Sequence, residues 1–185
     1  MEEIIIALAK ASILVALNQP TDFNLTDARK NFPMLDEEGA VFVTLRTLPN
    51  HQLRGCIGSL EAYRPLYKDI ISNAQSSALK DPRFLPLSIE ELDHIEIEVS
   101  LLSKPKVLHY TNVEDLKSKI RPLTDGVILH LAPYRATYLP SVWEELPHFD
   151  DFFRSLCQKA GLRYNCLSQH PEIFTYQATM YKEKK

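Results

Sequence analysis

The chain has 185 residues, of which 45% are hydrophobic and 24% are charged, and its formal net charge is −3 at pH 7. This composition is that of an ordinary globular protein long enough to bury a core, and it excludes an intrinsically disordered chain. The slightly negative net charge argues against a dedicated double-stranded nucleic-acid binder, because that class of protein carries a basic excess.

The apolar stretch near the N-terminus, residues 4–17, is the candidate for a targeting or membrane signal. It follows Glu2 and Glu3 rather than basic residues, it is interrupted by Lys10, and it is shorter than the roughly 20 residues that span a bilayer. Its apolar positions recur at helical spacing. We therefore expect a buried helix over residues 3–18, with neither a signal peptide nor a membrane association.

The cysteine pattern bears on compartment and on metal binding. Cys56, Cys157 and Cys166 make an odd count without a C-x-x-C pair, which predicts free thiols in a reducing compartment, the cytoplasm. Cys157, Cys166 and His170 lie close in sequence, but a zinc site normally needs four ligands and Cys157 falls on an apolar helix face. We therefore predict no metal site.

The first half of the chain alternates between strand and helix patterns. Apolar and polar residues alternate over residues 40–48 and 52–57, which predicts a β-hairpin. Residues 64–80 place apolar side chains on one helical face, and residues 95–102 alternate between an apolar and a mostly polar face. Residues 19–39 show neither period, and we expect them to be irregular.

The second half of the chain continues in the same way. Residues 113–120 and 149–160 read as helices, with Gly161 placed to end the second one. Residues 127–131 and 173–181 read as strands. Because strands and helices are interspersed, and because the hairpin and the half-polar strands favour antiparallel pairing, we predict an α+β fold without a clear domain boundary.

The most suggestive segment for chemistry is the second hairpin strand, Leu53-Arg54-Gly55-Cys56-Ile57-Gly58. In an extended strand Arg54 and Cys56 share a face about 6–7 Å apart, close enough for the guanidinium to favour a thiolate. Gly55 and Gly58 flank the sulfur without side chains and could admit a ligand to the backbone. Alternatively, the cysteine is a small buried hydrophobe and the glycines serve packing. No histidine has a fixed relation to Cys56 that would identify a general base.

Two other sets of polar residues are candidates for ligand binding. Arg83 either meets an anionic ligand or pairs with Asp81. On the strand over residues 95–102, Glu98 and Ser100 share the polar face, which either lines a cleft or is solvated. Nucleotide, zinc-protease and serine-hydrolase motifs are absent from the sequence, so no cofactor is indicated.

The hexapeptide Leu53-Arg54-Gly55-Cys56-Ile57-Gly58 resembles the signature of the AMMECR domain family. Six further stretches resemble blocks of that family in the same order: residues 39–45, 81–84, 98–102, 125–127, 138–143 and 159–162. The chain departs from the family pattern at Arg163-Tyr164-Asn165-Cys166-Leu167, where a tryptophan is usual, and at Arg135-Ala136-Thr137, where Arg-Gly-Thr is typical. The resemblance covers nearly the whole chain, so residues 1–185 are interpreted as a single AMMECR-type domain.

The resemblance implies two lobes, each with an antiparallel sheet flanked by helices. The larger lobe would hold both termini, and the signature would lie near the cleft between the lobes. The family has no established reaction that the resemblance carries over. Its bacterial and archaeal members are often encoded beside, or fused to, a Memo-like protein and a radical S-adenosylmethionine protein, which makes these two proteins candidate partners.

The sequence leaves open whether the chain is an enzyme. In the first hypothesis it is a cysteine-dependent enzyme or catalytic component: Cys56 is the nucleophile, Arg54 favours its thiolate, Gly55 and Gly58 hold an anion, and Arg83 contacts the substrate. In the second hypothesis the same segment is a non-catalytic recognition surface for a partner protein. Single-stranded nucleic-acid binding is the third and weakest alternative, because the aromatic residues that it needs are better explained by packing.

Overall fold

A computed structural model describes residues 2–184, which form two compact units: residues 2–102 with 179–184, and residues 103–178. Six α-helices lie within the described residues: α1 (Glu2–Ala16), α2 (Leu25–Asn31), α3 (Leu66–Leu79), α4 (Val113–Lys119), α5 (Val142–Glu145) and α6 (Phe149–Lys159). Short 3₁₀ turns occur at Pro33–Asp36, Ile89–His94 and Cys166–Gln169. None of the helices in this part of the chain has the length and apolar character needed to cross a bilayer.

The strands of the described chain form two antiparallel four-stranded sheets, which confirms the α+β class. They are β1 (Ala40–Thr47), β2 (Leu53–Gly58), β3 (Ile95–Leu102), β4 (Lys106–Val107), β5 (Gly126–Leu131), β6 (Tyr134–Tyr138), β7 (Glu172–Tyr176) and β8 (Ala178–Lys182). The first sheet has the order β2-β1-β3-β8 and the second has the order β4-β7-β5-β6. The predicted hairpin is confirmed, because β1 and β2 pair antiparallel.

One face of the first sheet carries the core of the first unit. Val41, Val43 and Leu45 of β1 are fully buried, in a cluster with residues of α1 and α3. Burying a side chain of this size contributes roughly 1.5–3 kcal/mol, so the alternation of β1 fixes which face meets the helices. The intervening residues, Phe42, Thr44 and Arg46, are therefore left for the opposite face.

A buried polar cluster fixes the end of the β1–β2 hairpin. The Asp69 carboxylate on α3 accepts hydrogen bonds from the Val41 N–H (2.8 Å) and from Ser59 Oγ (2.6 Å). It also accepts one from Arg64 Nε (2.8 Å), while Asn73 Nδ2 donates to the Val41 carbonyl (3.2 Å). Asp69 and Asn73 lie one helical turn apart, so both reach the polar groups of β1 just beyond the point where β2 ends.

The second unit has an aromatic core. Trp143 stacks on Phe152 with ring centroids 3.6 Å apart, and Trp143 Nε1 donates to the Asp125 carbonyl (2.8 Å). Gly161, whose φ is 81°, follows α6 in the left-handed conformation that glycine adopts without strain. The predicted helix stop at Gly161 is therefore confirmed.

The prediction of one strand over residues 173–181 is wrong. The segment contains two strands, because β7 joins the second sheet and β8 joins the first. The chain changes sheets at Gln177, whose N–H donates to Ser103 Oγ (2.9 Å) and whose carbonyl accepts from the Ser103 N–H (2.8 Å). Alternation continues through this point, so periodicity alone does not reveal the change.

The prediction that all three cysteines are free thiols is also wrong. Cys157 near the end of α6 and Cys166 in the 3₁₀ turn are joined by a disulfide, with their Cα atoms 5.7 Å apart. Such a spacing is ordinary for a disulfide, and the fold creates it between residues nine apart in sequence. Cys56 is the free cysteine. The cytoplasmic location stays a prediction, and its argument from free thiols no longer holds.

The region over residues 19–39, predicted to be irregular, contains the helix α2. Asn24 caps its first turn, because Asn24 Oδ1 accepts from the Asp27 N–H (3.1 Å). The helix has seven residues and buries only Ala28, so its sequence lacks the wide apolar stripe on which a helix prediction depends.

Candidate functional site

The hexapeptide Leu53–Gly58 is the edge strand β2 of the first sheet. Its register sets Cys56 opposite Thr44 and Gly55 opposite Leu45. Gly55 is buried against α3. The pairing with β1 is irregular at the next residue, because Leu45 stands opposite Gly55 and Arg46 opposite Leu53, so the register skips Arg54. Regular alternation is interrupted there, so the shared face predicted for Arg54 and Cys56 stays a prediction.

The two glycines of the hexapeptide have a packing explanation. A Cβ on Gly55 would overlap the backbone carbonyl oxygen of Ser77 in α3, and a Cβ on Gly58 would overlap the ring of Phe42. Each glycine therefore makes room for a neighbouring group of the protein itself. Ligand binding at these two glycines stays a prediction.

Cys56 is held through both its side chain and its peptide groups. Its Sγ accepts a hydrogen bond from Thr44 Oγ1 (3.3 Å). Its N–H donates to Asp81 Oδ2 (2.8 Å), and its carbonyl accepts from Arg83 Nη2 (3.2 Å). Because β2 is an edge strand, these backbone groups have no partner strand, and the Asp81–Arg83 pair takes that place.

Asp81 and Arg83 form a two-point ion pair beside Cys56. Arg83 Nε and Nη2 donate to the two oxygens of the buried Asp81 carboxylate at 2.9 and 2.6 Å. The hydrogen bonds from Arg83 hold the pKa of Asp81 well below its usual range, and those to Asp81 raise the pKa of Arg83. Of the two uses predicted for Arg83, pairing with Asp81 is the one observed. Anion binding by Arg83 stays a prediction.

Arg54 has its own carboxylate partner. Its Nε and Nη2 donate to Glu91 at 2.7 and 3.0 Å, and Nη2 also donates to the Leu85 carbonyl (3.0 Å). Glu91 in turn accepts from the Ser88 N–H (2.9 Å), and the hydrogen bonds from Arg54 lower the pKa of Glu91. The guanidinium that touches Cys56 is therefore that of Arg83, whereas Arg54 joins β2 to the turn at Ile89–His94.

Glu98 lies in the same cross-strand row as Cys56. Thr44 is paired with Cys56 on one side and with Glu98 on the other, so the row runs across three strands. Glu98 is buried, with Arg46 Nε 2.9 Å from one carboxylate oxygen and Lys182 Nζ 2.8 Å from the other. Burial raises the pKa of Glu98, but the pairing with Lys182 and Arg46 outweighs burial and leaves that pKa below its ordinary value.

Ser100, the remaining predicted site residue, lies in the next row. It is buried and stands opposite Phe42, whose ring covers Gly58. The structure therefore brings Cys56 and Glu98 into one row and places Ser100 one row away. Thr44, Arg46 and Lys182 belong to this face but are not among the residues predicted from the sequence, because only the strand register reveals them.

No metal-binding group accompanies these residues. Within residues 2–184, no cluster of three or more His, Cys, Asp or Glu side chains is arranged to hold a metal ion. The donors available to a ligand at this face are the Cys56 thiol, the Thr44 hydroxyl and the cationic side chains of Arg46, Arg83 and Lys182.

Comparisons with known proteins identify the family. A model of the AMMECR1 family matches residues 6–181. Protein MJ0810 of Methanocaldococcus jannaschii is 36% identical over 152 residues, which are 81% of this chain and 76% of that protein. Protein Ta0236 of Thermoplasma acidophilum is 37% identical over 154 residues, which are 82% of this chain and 74% of that protein.

A solved structure agrees with these sequence relatives. The crystal structure of the uncharacterized protein PH0010 from Pyrococcus horikoshii matches with a TM-score of 0.85 and 32% sequence identity. The match covers 97% of this chain and 90% of that protein. The chain therefore belongs to the AMMECR1 family, and the resemblance stated from the hexapeptide and the later motifs is confirmed.

Proposed function

We propose that this chain is a cysteine-dependent enzyme or catalytic component that acts through the Leu53–Gly58 segment on a small molecule or a partner protein. The observation that carries the proposal is the set of hydrogen bonds made by Cys56. Its sulfur accepts one from Thr44, its N–H donates to Asp81, and its carbonyl accepts from Arg83. In this proposal the fixed backbone keeps the Cys56 thiol in position for attack on a bound electrophile.

The proposal assigns a role to the groups that surround the Cys56 sulfur. The thiolate is the reactive species of cysteine, and hydrogen-bond donors and nearby cations stabilise a thiolate relative to a thiol. Thr44 donates to the sulfur, and the Arg83 guanidinium, which donates to the Cys56 carbonyl, places a positive charge beside the residue, although Asp81 offsets part of it. In this proposal Cys56 is the nucleophile or covalent carrier, and Thr44 and Arg83 are positioning residues.

The test is the alkylation rate of Cys56 in matched variants. Because Cys157 and Cys166 are joined in a disulfide, iodoacetamide without reductant reports on Cys56 alone. We expect Thr44→Val to slow alkylation at pH 7 about fivefold, since it removes one hydrogen bond to the sulfur, and Thr44→Ser to keep the wild-type rate. Equal rates in the three proteins, or a wild-type thiol that does not react, would contradict the proposal.

A second candidate function is recognition of a partner protein, and one observation favours it. The segments that Arg54 joins each expose a large aliphatic side chain: Leu53 is 37% exposed, Leu85 is 83% exposed and Ile89 is 49% exposed. Exposed apolar side chains gathered around one ion pair are typical of a protein-binding surface. The partners suggested by family gene association are a Memo-like protein and a radical S-adenosylmethionine protein.

Co-purification with those two proteins distinguishes the candidates. If recognition is the function, Leu85→Asp should abolish binding of a Memo-like or radical S-adenosylmethionine protein from the same genome, while Cys56→Ser should leave it intact. Leu123→Asp, at an exposed leucine of the second unit, is the matched control. Binding that survives Leu85→Asp, or no binding to either protein, would remove this candidate.

A further inference from the structure

Arg54 occupies an irregular position in β2. The register on β1 passes from the partner of Gly55 directly to the partner of Leu53, so Arg54 is the residue that the pairing skips. An extra residue of this kind bends a strand and redirects its own side chain. The Arg54 side chain is 12% exposed, and its guanidinium binds Glu91 in the 3₁₀ turn that precedes β3.

The loop over residues 82–86 follows α3, and both of its ends are fixed. Asp81 before the loop and Leu87 after it are buried, and the Leu87 N–H donates to the Ala78 carbonyl in α3 (2.8 Å). Of the five residues between these ends, four are exposed. The position of the loop against β2 therefore depends on the few contacts that its residues make with that strand.

Two arginines tie this loop to β2. From the strand, Arg54 Nη2 donates to the Leu85 carbonyl (3.0 Å). From the loop, Arg83 Nη2 donates to the Cys56 carbonyl (3.2 Å). The guanidinium carbons of Arg54 and Arg83 lie 5.7 and 5.5 Å from the centre of the Phe84 ring, within the range of a cation–π contact. A contact that fixes Leu85 and Phe84 therefore also limits where Arg83 can lie.

The hydrogen bond from Arg83 to Cys56 is the one most sensitive to a shift of the loop. Arg83 Nη2 lies 2.6 Å from Asp81 Oδ2 but 3.2 Å from the Cys56 carbonyl oxygen, and the Arg83 side chain is 52% exposed. A shift of the loop breaks the longer bond first, because a hydrogen bond weakens with distance. The Arg83 guanidinium then leaves Cys56 while its ion pair with Asp81 persists.

Arg54 holds the loop through a guanidinium that is itself held at two points. Its Nε and Nη2 donate to the two carboxylate oxygens of Glu91 at 2.7 and 3.0 Å, a contact that the single ammonium of a lysine does not reproduce. Its Nη1 is buried and has no hydrogen-bond acceptor among the residues that the structure describes. An unpaired buried donor costs free energy, which offsets part of the gain from the other bonds. We therefore expect the net hold of Arg54 on the loop to be moderate.

We infer that Arg54 is a positioning residue for the Cys56 thiol and acts through Arg83. By fixing the loop at Leu85, Arg54 keeps the Arg83 guanidinium at the Cys56 carbonyl. This inference rests on the proposed function, because it concerns the reactivity of the same thiol. It differs from a direct action of the Arg54 charge on the thiolate, and the two actions predict opposite effects of a substitution at Glu91.

The rate of iodoacetamide labelling at pH 7, measured without reductant, separates the two actions. Glu91→Gln weakens the hold on Arg54 and leaves the groups that contact Cys56 unchanged. If Arg54 acts through its position, this variant should be labelled about threefold more slowly than wild type, the effect of weakening one moderate contact. If Arg54 acts through its charge, Glu91→Gln should be labelled faster, because the substitution removes a negative charge that offsets the guanidinium.

Arg54→Lys makes the same distinction from the other partner. It keeps the positive charge and loses the two-point contact, so it should also slow labelling about threefold if position matters, and leave the rate unchanged if charge alone matters. Arg29→Lys is the matched control, because Arg29 forms another arginine–carboxylate pair in the first unit, with Asp36. The control should keep the wild-type rate.

A double-mutant cycle tests whether the effect passes through Arg83. Once Arg83→Gln has removed the guanidinium from Cys56, Arg54→Lys should cause no further change in rate, whereas independent effects would multiply. At pH 10 the thiol is largely ionised in every protein, so the rates should converge if only the thiolate fraction differs.

Each outcome has a distinct meaning. Labelling of Glu91→Gln that is unchanged or faster, effects that multiply in the cycle, or rate differences that persist at pH 10 overturn the inference and leave the proposed function standing. A wild-type Cys56 that does not react overturns the proposed function and this inference together. If Arg83→Gln does not fold, the sign of the Glu91→Gln effect still decides, because Glu91 is 38% exposed and glutamine keeps its size.

Discussion

The N–H and the carbonyl of Cys56 form hydrogen bonds with two residues that lie more than twenty positions away in sequence. Asp81 accepts from the Cys56 N–H, and Arg83 donates to the Cys56 carbonyl. Asp81 is buried and also accepts from the Arg83 backbone N–H (3.1 Å), so this one carboxylate binds both Cys56 and Arg83. Asp81 therefore holds the backbone of Cys56 both directly and through Arg83.

Replacing Asp81 by asparagine tests this dependence. The substitution keeps the size of the side chain but removes its charge, which weakens four hydrogen bonds to a buried group. We expect Asp81→Asn to lower the free energy of unfolding by about 2–3 kcal/mol, measured by urea denaturation. Asp22→Asn, at an exposed carboxylate, is the control. A decrease in unfolding free energy no larger than that of the control would show that the hydrogen bonds of Asp81 do not stabilise the fold.

The same carboxylate predicts a pH dependence. The pKa of Asp81 in the folded protein lies well below its ordinary value of 3.8, chiefly because of the hydrogen bonds from Arg83. Its contribution is therefore complete above the unfolded-state pKa and is lost as the pH falls below about 5. The difference in unfolding free energy between wild type and Asp81→Asn should stay constant from pH 8 to 5 and shrink towards pH 2. A difference that grows on acidification would contradict the sign of this pKa shift.

At the scale of residues, the sequence identifies the segment better than it identifies the partners. Cys56 and Arg83 are both predicted as site residues, and Arg83 donates a hydrogen bond to the Cys56 carbonyl in β2. The link between Arg54 and Glu91 spans 37 positions, so no local pattern indicates it. Thr44 lies in the family-like stretch 39–45, but no pattern singles it out as a site residue, and the hairpin register is what sets it opposite Cys56.

At the scale of elements, the defining feature is the close contact of β2 with α3. Gly55 has no room for a side chain because the helix backbone at Ser77 lies directly against it. Gly58 has no room for a different reason, because the Phe42 ring lies over it. A helix backbone cannot move without moving the whole element, whereas the Phe42 side chain can turn about χ1.

Alanine substitutions at the two glycines should therefore differ. We expect Gly55→Ala to destabilise the protein by about 3 kcal/mol, because α3 must shift away from the sheet. Gly58→Ala should destabilise it by about 1–2 kcal/mol, because Phe42 can change its rotamer. Denaturant midpoints of the two variants make the comparison. Equal midpoints, or a larger effect at Gly58, would mean that the packing on α3 does not limit this position.

The periodicity of apolar residues predicts the longer helices and strands. It does not predict which strand pairs with which. The alternation of β3 and the apolar faces of α1 and α6 are visible in the sequence, because each packs apolar side chains against a core. The burial of Glu98 and Ser100 on the polar face of β3 is not visible in that pattern. The division between β7 and β8 is not visible, because extended chain continues on both sides of Gln177 while the partner strand changes. The short helix α2 buries too little apolar surface to leave a pattern.

At the scale of the whole molecule, the chain builds two hydrophobic cores rather than one. The first core contains buried residues of α1, α3 and the first sheet, and the second contains an aromatic cluster around Trp143. The Cys157–Cys166 disulfide belongs to the second core, and both cysteines are fully buried there. The free thiol and the bonded pair thus belong to different units.

Removing the disulfide should therefore weaken the second unit. A bridge between residues nine apart stabilises a fold by about 2–3 kcal/mol, mainly through the entropy of the unfolded chain. We expect Cys157→Ala with Cys166→Ala to lower the stability of residues 103–178 by this amount, measured by hydrogen exchange resolved along the chain. Cys56→Ser serves as the matched control and should leave those residues unchanged. Uniform loss across both units would show that the two cores unfold as one.

The most direct test of the account compares Cys56 with itself in the native and unfolded chain. The rate of iodoacetamide labelling at pH 7 is measured without reductant, in buffer and in concentrated urea, and is located on the sequence by mass spectrometry. If the surroundings of Cys56 activate it, the native thiol reacts at least about tenfold faster than the same thiol in the unfolded chain. A native rate equal to or below the unfolded rate would contradict the central claim and leave Cys56 as a structural residue of β2.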